Sequence, residues 1–130
     1  MARPQSRHPT ELELEILKVL WKKGSSSGRD VRDALEQFRD LAYTSVMTIL
    51  GIMEEKGYVR RKKTGNSFVY SARIREETVT RKMLRDLIDR AFYGSVSTAL
   101  VGLLESSEID AEELQQLKEL IQRKSRESSQ

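Results

Sequence analysis

The chain has 130 residues, one-third of them charged, with a formal net charge of +3, no Cys and a single His, His8. That length suits one modest domain or two very small ones. The missing cysteines exclude a disulfide framework, a thiolate metal site and a cysteine nucleophile, and one histidine leaves almost no material for nitrogen-ligated metals or histidine-dependent catalysis.

No cofactor, metal site or catalytic residue is therefore expected, and the chain is not read as an enzyme. No apolar run is long enough to span a bilayer. The start, MARPQSRHP, carries two arginines but no apolar core of a secretory signal. The expectation is a cytoplasmic protein with no membrane insertion. The charge is unevenly placed: residues 1–75 hold 15 Lys/Arg against 9 Asp/Glu, net +6, and residues 76–130 hold 8 against 11, net −3. The basic half suits a polyanion, and the acidic half some other task.

Residues 1–9 are read as a flexible tail. TELELEILKVLWKKG follows, with Thr10 and Glu13 spaced as a capping box. Ile16 and Leu20, and Leu17 and Trp21, are apolar i,i+4 pairs, and Gly24 suits a left-handed cap. A second helix starts at Ser27, with Asp30 in its first turn and Val31, Leu35 and Phe38 as its buried face. A third is predicted over residues 43–56, closed by Gly57 with Tyr58 beyond the cap.

The period then changes. YVRRKKTGNSFVYSARI predicts two antiparallel strands, residues 58–63 and 67–73, around a turn at Thr64, Gly65 and Asn66. Phe68 and Tyr70 share a strand face and, with Trp21, Phe38 and Met53, are assigned to the core. Three more helices are expected. The first carries Leu84, Leu87, Ile88, Ala91 and Phe92, the second Val96, Leu100, Leu103 and Leu104, and the third, capped by Asp110, carries Leu114, Leu117, Leu120 and Ile121. Residues 125–130 are read as a second flexible tail.

Three short helices and a hairpin describe a mainly α protein with a winged helix-turn-helix over residues 10–75. The third helix of that arrangement enters the DNA major groove, and the wing meets the adjacent backbone. The face of the third helix opposite Val46, Ile49, Leu50 and Met53 has no charge: it presents Tyr43, Thr44, Ser45, Met47, Thr48 and Gly51. Small hydroxylated side chains fit the groove and reach base edges or phosphates, and Thr methyls and Met47 can pack on a thymine methyl. Arg60, Arg61, Lys62, Lys63 and Asn66 are the wing candidates for backbone contact, joined by Arg73 and Arg75, and Ser27 and Arg29 are placed against a phosphate at the start of the second helix. Residues 76–124 form a three-helix region too small for a strong core of its own. It is expected to dimerise through Leu84, Leu87, Ile88, Phe92, Val96, Leu100, Leu103, Leu104, Leu114, Leu117 and Ile121. The alternative is a winged-helix protein-interaction module without DNA binding, against which the unbroken cation run stands.

TELELEILKVLW, AYTSVMTILGIMEEKGYVRR and NSFVYSA together resemble the BlaI/MecI/CopY family of bacterial regulators, the penicillinase-repressor type, over residues 9–124. The resemblance implies a winged helix with a C-terminal helical dimerisation region. The implied function is repression by a homodimer at palindromic operators, often with TACA/TGTA-like half-sites. Its copper-responsive branch carries C-terminal C-x-C cysteines, which this chain lacks. Its β-lactam-responsive branch is released by proteolysis at an Asn-Phe bond, which implies a membrane sensor protease as a partner. The matching position is Gly102–Leu103, where no Asn-Phe pair stands. The family often has Arg directly after the glycine at Gly51, where this chain has Ile52.

Overall fold

A computed structural model describes residues 8–129, so the expected tail over residues 1–9 falls outside the description apart from His8 and Pro9. The chain divides into two compact units between Leu84 and Arg85.

The first unit begins with α1 (Glu11–Lys23), whose capping box is formed as the spacing predicts: Glu13 N–H donates to Thr10 Oγ1 at 3.2 Å and Thr10 N–H to Glu13 Oε1 at 2.8 Å. β1 (Ser26–Ser27) follows, then α2 (Gly28–Leu35) and α3 (Tyr43–Glu55). The hairpin is β2 (Val59–Thr64) and β3 (Ser67–Ala72), closed by a two-residue turn at Gly65–Asn66 with Thr64 opposite Ser67. Gly65 has φ +63°, a conformation that glycine adopts without a side-chain clash. The sheet order is β1-β3-β2, antiparallel throughout. This is the winged helix-turn-helix, with β1 as a short third strand that periodicity does not reveal.

The core joins one face of each element: Ile16, Leu17 and Leu20 of α1, Val31 and Leu35 of α2, Val46, Leu50 and Met53 of α3, Val59 of β2 and Tyr70 of β3. Trp21 packs against it, and its Nε1–H donates to Ile74 O at 2.9 Å. At the end of α3, Tyr58 N–H reaches back to Met53 O and Gly57 N–H to Glu54 O, with Gly57 at φ +83°. That is the paired-bond stop in which a left-handed glycine satisfies the last carbonyls.

Two residues assigned to the core are not in it. Phe38 is 73% exposed: α2 ends at Leu35, Phe38 N–H folds back on Leu35 O, and the helical spacing that would bury position 38 no longer applies. Phe68 is 37% exposed: it stands next to the turn at the start of β3, and it is Tyr70, two residues on, that is buried in the core.

α4 (Glu76–Ala91) begins in the first unit, where Val79 is buried, and continues into the second. The division therefore falls inside a continuous helix rather than between residues 75 and 76, as the sequence suggested. The second unit continues with α5 (Val96–Ser106) and α6 (Ala111–Ser128). α6 runs through most of the expected tail at 125–130, because no Gly or Pro interrupts it. Arg123, Lys124 and Arg126 also lie near its end, where the helix dipole favours cations. No single helix among the described residues is long and apolar enough to cross a membrane.

Candidate nucleic-acid interface

α3 is anchored by Val46, Leu50 and Met53, each 0% exposed, and this turns Tyr43, Thr44, Ser45, Thr48, Gly51 and Ile52 outward. Its start differs from those of α1, α2, α5 and α6. Thr10, Ser27, Ser95 and Asp110 each cap a helix with a side-chain oxygen, whereas α3 begins at Ala42, which makes no side-chain cap. The first-turn N–H groups of α3 keep their donors for an outside acceptor, and the dipole end favours an anion.

The outer side chains have distinct capacities. Thr48 Oγ1 donates to Thr44 O at 3.0 Å, so its one hydroxyl hydrogen is in use. Towards a base edge it offers lone pairs and a methyl group, which suit an adenine or cytosine amino group or a thymine methyl. Thr44 and Ser45 are exposed. Met47 is only half-buried in the groove beside α2, where Gly28 is also buried and a Cβ at position 28 would collide with the Met47 sulfur. The absence of a side chain at Gly28 thus makes room for Met47.

A cleft of about 440 Å³ unites residues that the sequence placed separately: Ser27 and Arg29 from the start of α2, Tyr43 and Met47 from α3, and Asn66 and Phe68 from the wing. The Arg29 guanidinium lies 5.8 Å from the Tyr43 ring centroid. Ser27 is occupied as the α2 cap, accepting from Asp30 N–H at 3.1 Å. In return the Ser27 backbone N–H, then its hydroxyl, then the charge of Lys23 hold the Asp30 carboxyl below the ordinary aspartate value.

The pairing register sorts the wing cations. Arg61 lies opposite Tyr70 and Lys63 opposite Phe68, on the sheet face that carries buried Val59. Arg60, opposite Ser71, and Lys62, opposite Val69, are on the other face. All four are exposed. Arg61 is engaged by Glu54 of α3 at 3.4 Å and lies 4.5 Å from the Phe68 ring centroid. No spacing rule brings Arg61 to Glu54, since the pair exists only once the wing folds beside α3. The buried ion pair between Glu13 and Lys56, at 3.0 Å, is equally absent from local sequence signals.

In the second unit, Leu87, Val96, Leu100, Leu103, Leu104, Leu114 and Ile121 are exposed, Phe92 and Leu117 are half-buried, and neither α5 nor α6 contains a buried residue. Leu84, at the end of the first unit, is exposed as well. Ile88 departs from the expected dimer stripe: it is 8% exposed, its surface already covered within the chain. Gly102 and Leu103 lie inside α5. Among the described residues no group of His, Asp and Glu is arranged to hold a metal ion.

The penicillinase repressor family model matches residues 9–123. The chain is 25% identical to the penicillinase repressor of Bacillus licheniformis over 113 residues, covering 87% of this chain and 88% of that protein. It is 20% identical to the methicillin resistance regulatory protein MecI of Mammaliicoccus sciuri over 112 residues, covering 86% and 91%. It is also similar to the solution structure of the monomeric Bacillus licheniformis BlaI in complex with the blaP half-operator. There the identity is 31%, the TM-score 0.47, and the coverage 57% of this chain and 87% of that one.

Proposed function

The chain belongs to the penicillinase repressor family, and from that premise we propose that it is a sequence-specific, DNA-binding transcriptional repressor acting as a homodimer on palindromic operators. It is a regulator, not an enzyme. The observation that carries the reading is the outer face of α3 from Tyr43 to Gly51, which is hydroxylated, uncharged and without a side-chain cap at its N-terminus, and is accompanied by a basic wing. Thr44, Ser45 and Thr48 read base edges, with Tyr43 and Met47 beside them. Arg60, Lys62, Lys63, Asn66 and Arg29 meet phosphates. A repressor works where its operator lies, so the same reading implies the cytoplasm as its site of action.

The homodimer is supported by the exposed leucines of the second unit, whose burial against a second copy would remove a large apolar surface from water. Release by a membrane sensor protease at Gly102–Leu103 is part of the same reading. A glycine inside α5 weakens the helix by about 0.5–1 kcal/mol relative to Ala and favours the local opening that a protease needs. The mass of the chain recovered from cells exposed to a β-lactam checks this: a fragment ending at Gly102 supports it, and an intact chain contradicts it.

The DNA reading is tested by selecting bound duplexes from a random pool. Enrichment of an inverted repeat is expected, with Thr44→Ala or Thr48→Ala relaxing the preference and Lys62→Ala weakening all sequences alike. A pool that stays random, together with recovery of a protein partner, would favour the interaction-module reading.

A further inference from the structure

We infer that Glu54 withholds Arg61 from the DNA backbone and so limits the sequence-independent part of the wing's affinity; the inference rests on the DNA-binding reading above. Among Arg60, Arg61, Lys62 and Lys63, only Arg61 has a carboxylate partner in the described structure, its Nε lying 3.4 Å from Glu54 Oε2. Its guanidinium also sits over the Phe68 ring, 4.5 Å from the centroid. Contacts from two different elements therefore fix it, one from α3 and one from β3. The strand register agrees, because Arg61 is on the sheet face that carries Val59 and Tyr70.

An exposed pair of this kind adds little stability, so its larger consequence is electrostatic. Sequence-independent affinity scales with the number of phosphates neutralised. A guanidinium already paired with a carboxylate neutralises none unless the pair breaks, and Glu54 itself repels an approaching phosphate. Glu54 is thus a positioning residue: it keeps Arg61 as a strut between wing and α3 instead of a phosphate ligand.

The experiment measures binding of the full chain to a random-sequence duplex against salt, for the unsubstituted chain, Glu54→Gln, Glu54→Ala, Glu55→Gln and the double variant Glu54→Gln/Arg61→Ala. Glu55 is an exposed carboxylate on the same helix and controls for simple loss of negative charge. With Arg61 released, Glu54→Gln and Glu54→Ala should each steepen the slope of log K against log salt by about 0.9, an extra loss of about 3.5-fold between 50 and 200 mM. Glu55→Gln should steepen it less, and the double variant should return to the unsubstituted slope. A Glu54→Gln slope no steeper than that of Glu55→Gln overturns the inference, as does steepening that survives removal of Arg61. Absence of salt-sensitive binding by the unsubstituted chain overturns the DNA reading, and this inference with it.

Discussion

Gly51 lies on the outer face of α3, with no heavy atom within 4 Å of where a Cβ would stand. A glycine inside a helix costs about 1 kcal/mol against alanine, and nothing in the folded chain requires one here. Gly51→Ala should therefore raise stability by about 1 kcal/mol in chemical denaturation, yet weaken specific duplex binding if, as proposed, this face enters the groove, because the added methyl would then meet the groove floor. A gain in stability with unchanged binding would contradict close approach at this position. Ile52 is 42% exposed, and under the proposed DNA reading its apolar side chain leaves the base edges to Tyr43, Thr44, Ser45, Met47 and Thr48. At this scale the sequence was legible wherever a side chain's role follows from helical or strand spacing, as for Val46, Leu50 and Tyr70. It misled at Phe38 and Phe68. Both have the right spacing, but one stands beyond the end of α2 and the other beyond the reach of the core, and neither limit is written in the local pattern.

α3 shows the same division between local and long-range causes. Its glycine stop follows from sequence, but the Glu13–Lys56 pair at its end does not; there the Glu13 side chain is 4% exposed and that of Lys56 16%. Lys56 Nζ lies 3.1 and 3.0 Å from the two Glu13 oxygens. Removing one partner leaves a buried charge uncompensated, so Lys56→Met should lower unfolding stability by roughly 3–5 kcal/mol. A change below about 1 kcal/mol would show the pair to be solvated. The opposite end of the helix offers the converse test. Ala42 has the extended backbone of a cap residue, φ −66° and ψ 148°, without a capping oxygen. Ala42→Ser should stabilise the domain by about 0.5–2 kcal/mol and weaken duplex binding, since the new hydroxyl competes with phosphate for the same N–H groups. Stabilisation with no loss of binding would remove the helix start from the interface. β1 escaped the sequence reading for a related reason: Ser26 and Ser27 have no strand propensity of their own and are strand only through pairing with Tyr70 and Val69.

Across the whole molecule, the basic first half and acidic second half correspond to two different surfaces. The first presents the hydroxylated outer face of α3 together with the wing cations, and the second presents leucines that a single chain leaves uncovered. Charge and apolar periodicity are local properties, so the charge split and the leucine spacing can be read from the sequence. Where the units divide was not legible, because α4 carries helical spacing straight across the boundary at Leu84. In the proposed function α3 and the wing together hold double-stranded DNA, with base reading added to a phosphate term. The most direct test is the affinity of the chain for its selected duplex between 50 and 200 mM salt. Contact with about six to ten phosphates predicts a loss on the order of 10³-fold or more over that range. An affinity that stays constant with salt, or no binding to the duplex at all, would contradict it.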